Sequence, residues 1–424
     1  MKKHILCMML FIIAVHMPFA AAKRSPESCR DSTPPLKDCY APYFEIGAAS
    51  FVDGEEDDRI KELEKKEKAA EKARKKAEKK QKKGKAAAAP KTTASPENDP
   101  YFIRTVRKHF TELSSGTKLL PATLLGKKPG KLVRYTASDG CSYEVPEKWD
   151  SQYLALFLDE AQTAGVQVRF HLLVCPEMSP GWFFFRNYDT ASRLAGKAEM
   201  TARLEWYIKK VTDFISNWEY EHNLDTPLVT SYDVVSELFT DTGDLNRTPS
   251  NYLMQIYGDT SYAVQAFAIA ARCVPASVKL CYCDHSLFEK KKAEKVKEFI
   301  GAVRAADKKC RVDEIGIISH LEADWPDRNA FFAACRDFSS LGLGVHIQQL
   351  DISARSEKDS SSAYYDFMKA CRDNAAVIQG VSFRAVTAVD QTEFVDYMRA
   401  PLFLSDYSCT GNFDRVIEAS GREE

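Results

Sequence analysis

Short runs rich in Val, Ile, Leu and aromatic residues recur along the chain, separated by longer stretches whose apolar positions repeat at helical spacing. Residues 43–49, 166–174, 228–235, 278–282, 315–319, 345–350 and 381–386 predict strands, and 200–218, 293–305 and 328–337 predict helices between them. Strands alternating with helices imply a parallel sheet covered by helices. No Gly-rich phosphate loop follows the first strand, which argues against an open nucleotide-binding sheet. The expected fold is therefore α/β, an eight-stranded (β/α)8 TIM barrel. In that fold the chemistry sits where strands end and loops begin.

One region breaks the alternation. From about residue 54 to 98 the chain turns into Lys, Ala and Glu repeats, such as Glu64-Lys65-Lys66-Glu67-Lys68, and ends in Ala-rich and polar sequence. It has no apolar stripe to dock, so it reads as a solvated insertion after the first strand, held at most by i,i+4 charge pairs. Association with an anionic wall polymer or envelope surface is the alternative. The barrel is expected over residues 23–412 around this insertion, with 413–424 as a C-terminal tail.

The formal net charge is −1, and nothing outside the insertion is strongly basic, which argues against a nucleic-acid partner. Residues 1–22 combine a basic start, a mostly apolar stretch over 5–17 and the small residues Ala20-Ala21-Ala22, the pattern of a cleaved export signal. That stretch is shorter than the ~20 residues of a membrane span, so a secreted or periplasmic protein is expected, with no transmembrane segment. Of twelve cysteines, Cys7 falls in the signal. Cys29 and Cys39 are close enough in sequence to close a small loop, and the other pairings stay open.

The strand ends carry the candidate chemistry. In order they read Arg169-Phe170-His171-Leu172-Leu173-Val174-Cys175-Pro176, Tyr232-Asp233-Val234-Val235-Ser236-Glu237, Cys281-Tyr282-Cys283-Asp284-His285, Ile317-Ile318-Ser319-His320, and Val345-His346-Ile347-Gln348-Gln349-Leu350-Asp351. Together these blocks resemble glycoside hydrolase family 10, the endo-1,4-β-xylanases, from about residue 44 to 403. The resemblance implies retaining hydrolysis of β-1,4-xylan by two carboxyl groups about 5–5.5 Å apart, one acid and one nucleophile. It places the general acid/base at Glu237 and the nucleophile at Gln349. It also assigns substrate-contacting positions to His171, Ser236, Asp284, His320 and Arg384, and implies a xylan-type polysaccharide or oligosaccharide as partner and no cofactor.

A carboxamide at 349 cannot attack the anomeric carbon, and it removes the like charge that keeps the partner of such a pair protonated. Other positions also depart from the family pattern. Ser236 replaces Asn, Cys175-Pro176 replaces Trp-His, Arg384 replaces Trp, and Gly116-Thr117-Lys118-Leu119-Leu120 replaces the Glu-Asn-Glu-Met-Lys segment that grips the distal sugar. The reading is a hydrolytically inactive carbohydrate-binding or structural pseudoenzyme. The alternative is an active endo-1,4-β-xylanase using Glu237 as general acid/base. Arg384 is placed to pair with Glu237, and Trp182-Phe183-Phe184-Phe185 to pack in the core. Cys175, Cys283, His171, His285 and His320 are metal-ligand types at strand ends, but their spacing matches no zinc pattern, so no metal is expected there. Asn246-Arg247-Thr248 fits a glycosylation acceptor.

Overall fold

The computed structural model describes residues 29, 32–50, 99–387, 398–399 and 401–422. The expected export signal and the charged insertion lie outside the described residues. Eight parallel strands close on themselves as β1 Glu45–Ala49, β2 Glu112–Ser114, β3 Gln167–Val174, β4 Val229–Ser236, β5 Lys279–His285, β6 Glu314–Glu322, β7 Gly344–Ala354 and β8 Ile378–Phe383. Pairing of β8 with both β7 and β1 completes the ring, so the protein is a TIM barrel as its alternating pattern implied.

Each strand is followed by a helix. In order these are α1 Tyr101–His109, α2 Gln152–Ala164, α3 Lys197–Glu221, α4 Ser261–Cys273, α5 Lys290–Ala306, α6 Arg328–Ser339, α7 Glu357–Asp373 and α8 Gly411–Ala419. Local sequence sets their ends. Asp327 and Ser356 accept hydrogen bonds from the first-turn backbone of α6 and α7. Gly165 ends α2 in the left-handed conformation that costs glycine little. Helix α8 buries Phe413, Val416 and Ala419, and the Val416 carbonyl accepts from the Tyr40 hydroxyl at 2.6 Å. The segment expected as a tail from 413 is thus the eighth helix of the barrel.

Strand β2 escaped the sequence reading because three residues are too few to show a period. Between β2 and α2 the chain also makes an antiparallel hairpin, Leu132–Thr136 with Ser142–Pro146. The hairpin is fastened to α3 by Tyr135, whose hydroxyl donates to Glu205 at 2.7 Å. Cys29 is bonded to Cys409 rather than to Cys39, which carries a free thiol. That bridge ties the start of the described chain to the segment before α8.

Glu112, Arg169 and Glu314 stand at the N-terminal ends of their strands inside the barrel. The Arg169 guanidinium lies 2.9 Å from Glu314 and 3.5 Å from both Glu112 and Asp233, and all four side chains are buried. Burial of this kind is tolerable for charges only when they are paired and hydrogen-bonded. His346 on β7 is buried beside them, and burial with the Arg169 charge pushes its pKa down to about 3, so its imidazole is neutral.

Candidate active site at the C-terminal mouth of the barrel

Glu237 and Gln349 follow β4 and lie within β7, and both have positive φ, 54° and 49°. Non-glycine residues rarely adopt this region, and it clusters at functional sites. The pairing of β6 with β7 slips between Ile318 and His320, where Ile318 faces Gln348 and His320 faces Asp351. The extra residue on β7 forms a bulge that re-aims Gln349. Glu237 is half-buried. Its backbone carbonyl accepts from Asn246 Nδ2 at 3.1 Å. No side chain among the described residues pairs with its carboxylate.

Gln349 is held from the other side. Its Nε2 lies 3.1 Å from His171 Nε2, and His171 Nδ1 lies 2.8 Å from Asp233 Oδ2. A neutral imidazole protonated on Nδ1 satisfies both contacts, donating to Asp233 and accepting from the Gln349 amide. Gln348 Nε2 donates to the other Asp233 oxygen at 3.0 Å. It reaches across because Gly316 has no side chain; a Cβ there would stand 2.5 Å from Gln348 Nε2. Burial alone would raise the Asp233 pKa, but the hydrogen bond from His171, with the Arg169 charge and the Gln348 hydrogen bond behind it, holds it down to about 2.

A second chain of contacts runs through Asp351, which lies 3.1 Å from His320 Nδ1 and 2.8 Å from Arg384 Nη1. The expected partnership of Arg384 with Glu237 is therefore replaced by one with Asp351, whose strand lies next to the end of β8. Asp284 is buried completely and paired with the equally buried Lys292 of α5 at 2.7 Å. The Tyr282 hydroxyl donates to its second oxygen at 2.6 Å. Burial pushes Asp284 up to about 7 against the opposing pull of Lys292. Asp284 thus faces a buried lysine and tyrosine rather than an open cleft. Ser236 is buried on β4. The structure brings His171, Gln349, Asp233 and Gln348 into one connected set and His320, Asp351 and Arg384 into another, while the Glu237 carboxylate joins neither.

Residues 77–418 match the sequence model of glycosyl hydrolase family 10. The chain belongs to this family. It is 28% identical over 313 residues to the bifunctional endo-1,4-beta-xylanase XylA of Ruminococcus flavefaciens, covering 74% of this chain and 31% of that protein. Endo-1,4-beta-xylanase A of Butyrivibrio fibrisolvens is 23% identical over 339 residues, 76% of this chain and 79% of its own. This chain therefore spans about a third of one relative and most of the other. Among solved structures, the intracellular xylanase TsXylA of Thermoanaerobacterium saccharolyticum superposes with a TM-score of 0.67 at 19% identity over 91% of this chain and 99% of its own. Mutant forms of that enzyme have been solved with xylotriose and xylotetraose.

Several residues around Glu237 were not apparent from sequence. Glu177, after β3, accepts from Thr248 Oγ1 at 2.9 Å and Asn246 Nδ2 at 3.3 Å. Its pKa is raised by burial and by the Glu237 charge. Asn246, read as a glycan acceptor, uses its amide to hold the loop that carries Glu237. Tyr282 accepts from the Leu238 backbone N–H at 3.2 Å while donating to Asp284, fixing the chain just after Glu237. No motif assigns any of them to Glu237, and only the fold puts them beside it.

In the segment after β2, Lys118 is fully buried and paired with Glu160 of α2 at 2.9 Å, so its ammonium faces inward. Phe183 and Phe184 are buried, as the core reading of that aromatic run expected. Burial, with the charges of Glu177 and Glu237, pushes the Cys175 thiol up to about 12. Cys283 is raised as well, mainly by burial, so neither thiol is poised as a nucleophile. His171, Asp233 and Cys283 lie close enough to share an ion, but both His171 nitrogens already face partners.

Proposed function

We propose that this family 10 barrel is a hydrolytically impaired relative of the endo-1,4-β-xylanases that engages xylan-type saccharides without cleaving them by the retaining route. One observation carries this reading: the position that the family resemblance assigns to the nucleophile is Gln349, and its amide lies against His171. Double displacement needs an ionised carboxylate there to form the glycosyl intermediate. An amide supplies neither the charge nor the covalent bond. The inward turn of Lys118 and the pairing of Arg384 with Asp351 support a remodelled cleft, because these cations are committed to partners within the protein.

Residual hydrolysis with Glu237 as general acid/base is the second reading. Glu177 favours it, as a half-buried carboxyl group that senses the Glu237 charge. The test is reducing-sugar release from xylan by the full chain beside Glu237→Ala and Glu177→Gln, with titration calorimetry of xylo-oligosaccharides. Binding heat with release no greater than in Glu237→Ala supports the impaired reading. Release that both substitutions abolish establishes the second. Absence of any binding heat removes the saccharide partner. Residues 1–22 support action outside the cytoplasm, checked by sequencing the mature N-terminus from the exported fraction. The charged insertion is proposed to favour envelope association, which deletion of residues 54–98 would abolish in a cell-wall pull-down.

A further inference from the structure

The opposite end of the barrel holds a pocket of about 470 Å³ between the first residues of the strands, lined among others by Glu45, Glu112, Arg169, Glu314 and His346. Within it, one nitrogen of His346 and one carboxylate oxygen each from Glu45 and Glu112 lie within 4.8 Å of one another. His346 is 3% exposed. Neither of its ring nitrogens has a hydrogen-bond partner. A buried imidazole with both nitrogens unsatisfied is costly, and native structures rarely leave one without a reason.

We propose that Glu45, Glu112 and His346 form a binding site for a divalent transition-metal ion of the zinc class at the N-terminal mouth of the barrel. His346 Nε2 stands 3.5 Å from Glu112 Oε1. Two ligands bound to tetrahedral zinc at about 2.0–2.1 Å are separated by roughly 3.3 Å, so this pair is already spaced to share an ion. Glu45 is exposed, and its side chain closes the third position by a rotamer change. One imidazole with two carboxylates suits zinc, cobalt or nickel better than calcium or magnesium, which favour all-oxygen sites. Solvent at the open mouth completes the coordination.

Neighbouring groups fix the ligands. Ser382 Oγ donates to Glu112 Oε1 at 2.9 Å. Gly380 on β8 leaves the space that the His346 ring occupies, and a Cβ there would collide with the ring. Since β8 lies between β7 and β1, an ion held by β7, β1 and β2 clamps the barrel across its closure. The predicted ion therefore adds stability, at the end of the barrel remote from Glu237.

The test titrates the full, chelator-stripped chain with cobalt(II), followed by absorbance and by thermal unfolding. The expected result is one equivalent bound without a thiolate-to-cobalt charge-transfer band, and a Tm that rises with cobalt concentration. Glu45→Gln, at an exposed position, should weaken binding by at least about tenfold, and His346→Gln should abolish it. Absence of saturable binding overturns the proposal. So does a thiolate band, which places the ion on cysteines, or affinity unchanged in Glu45→Gln.

Discussion

The two mouths of this barrel are built from similar residues, carboxylates beside histidines with an arginine, yet they satisfy them differently. At the C-terminal mouth His171, Gln348 and Gln349 converge on or near Asp233, and His320 and Arg384 share Asp351. The Glu237 carboxylate is left outside these sets with no side-chain partner among the described residues. At the N-terminal mouth Arg169 faces Glu112, Asp233 and Glu314 at once, and the unsatisfied atoms include both ring nitrogens of His346. A retaining glycosidase site needs two carboxyl groups poised on opposite sides of a sugar. Here the C-terminal mouth disperses its carboxyl groups among separate partners, and the other end gathers acids around a cation. Polar side chains at a strand end thus do not by themselves make a site; what matters is which of them the packing leaves unpaired.

Removing the shared cation should break this contrast most severely. Arg169→Met strands buried carboxylates and should cost about 3–5 kcal/mol of stability, read from denaturant unfolding. A loss below about 1 kcal/mol would mean that the acids are not held by Arg169. Acid should act next, through Asp233. Its folded pKa of about 2 lies below the unfolded value, so its contribution is present above about pH 4 and is lost as pH falls through 2. The contribution is about 2 kcal/mol, and Asp233→Asn should flatten the stability profile over that window.

Gln349→Glu sharpens the comparison at the C-terminal mouth. The new carboxylate would face His171 Nε2, which then needs a proton on both ring nitrogens to sit between two acids. Xylan hydrolysis should stay within a few-fold of the Glu237→Ala control, because Lys118 and Arg384 remain turned to internal partners. A large gain would show that one residue alone separates this chain from an active enzyme. The smallest effect belongs to Glu237→Gln, whose unpaired and half-exposed carboxylate should change unfolding free energy by less than about 0.5 kcal/mol.

The strand positions were legible because buried parallel strands are continuous apolar runs, and their alternation with helices admits few architectures. Observed bounds differ from the expected ones by a few residues, as with β7, which runs on from 350 to Ala354. The three-residue β2 and the final helix were not legible. The first is too short to show a period, and the second reveals its apolar face only when packed on the barrel. In the site, Glu237, Gln349, His171 and His320 could be named from strand-end motifs. The roles of Glu177, Asn246 and Tyr282 around Glu237 could not, since these residues reach it from separate loops and strands.

The sequence by itself determined the barrel, the family and the amide at position 349, because these depend on residue type and order along the chain. Partnership was decided only in three dimensions. Arg384 lies next to Asp351 instead of Glu237 because β7 and β8 are neighbours in the closed sheet. Cys29 joins Cys409 instead of Cys39 because the first described segment meets the end of the barrel, where the Tyr40 hydroxyl donates to the Val416 carbonyl. His346 meets Glu45 and Glu112 because closing the barrel brings β7 within one strand of β1. Contacts between residues hundreds of positions apart follow from the geometry of closure, which no local pattern encodes.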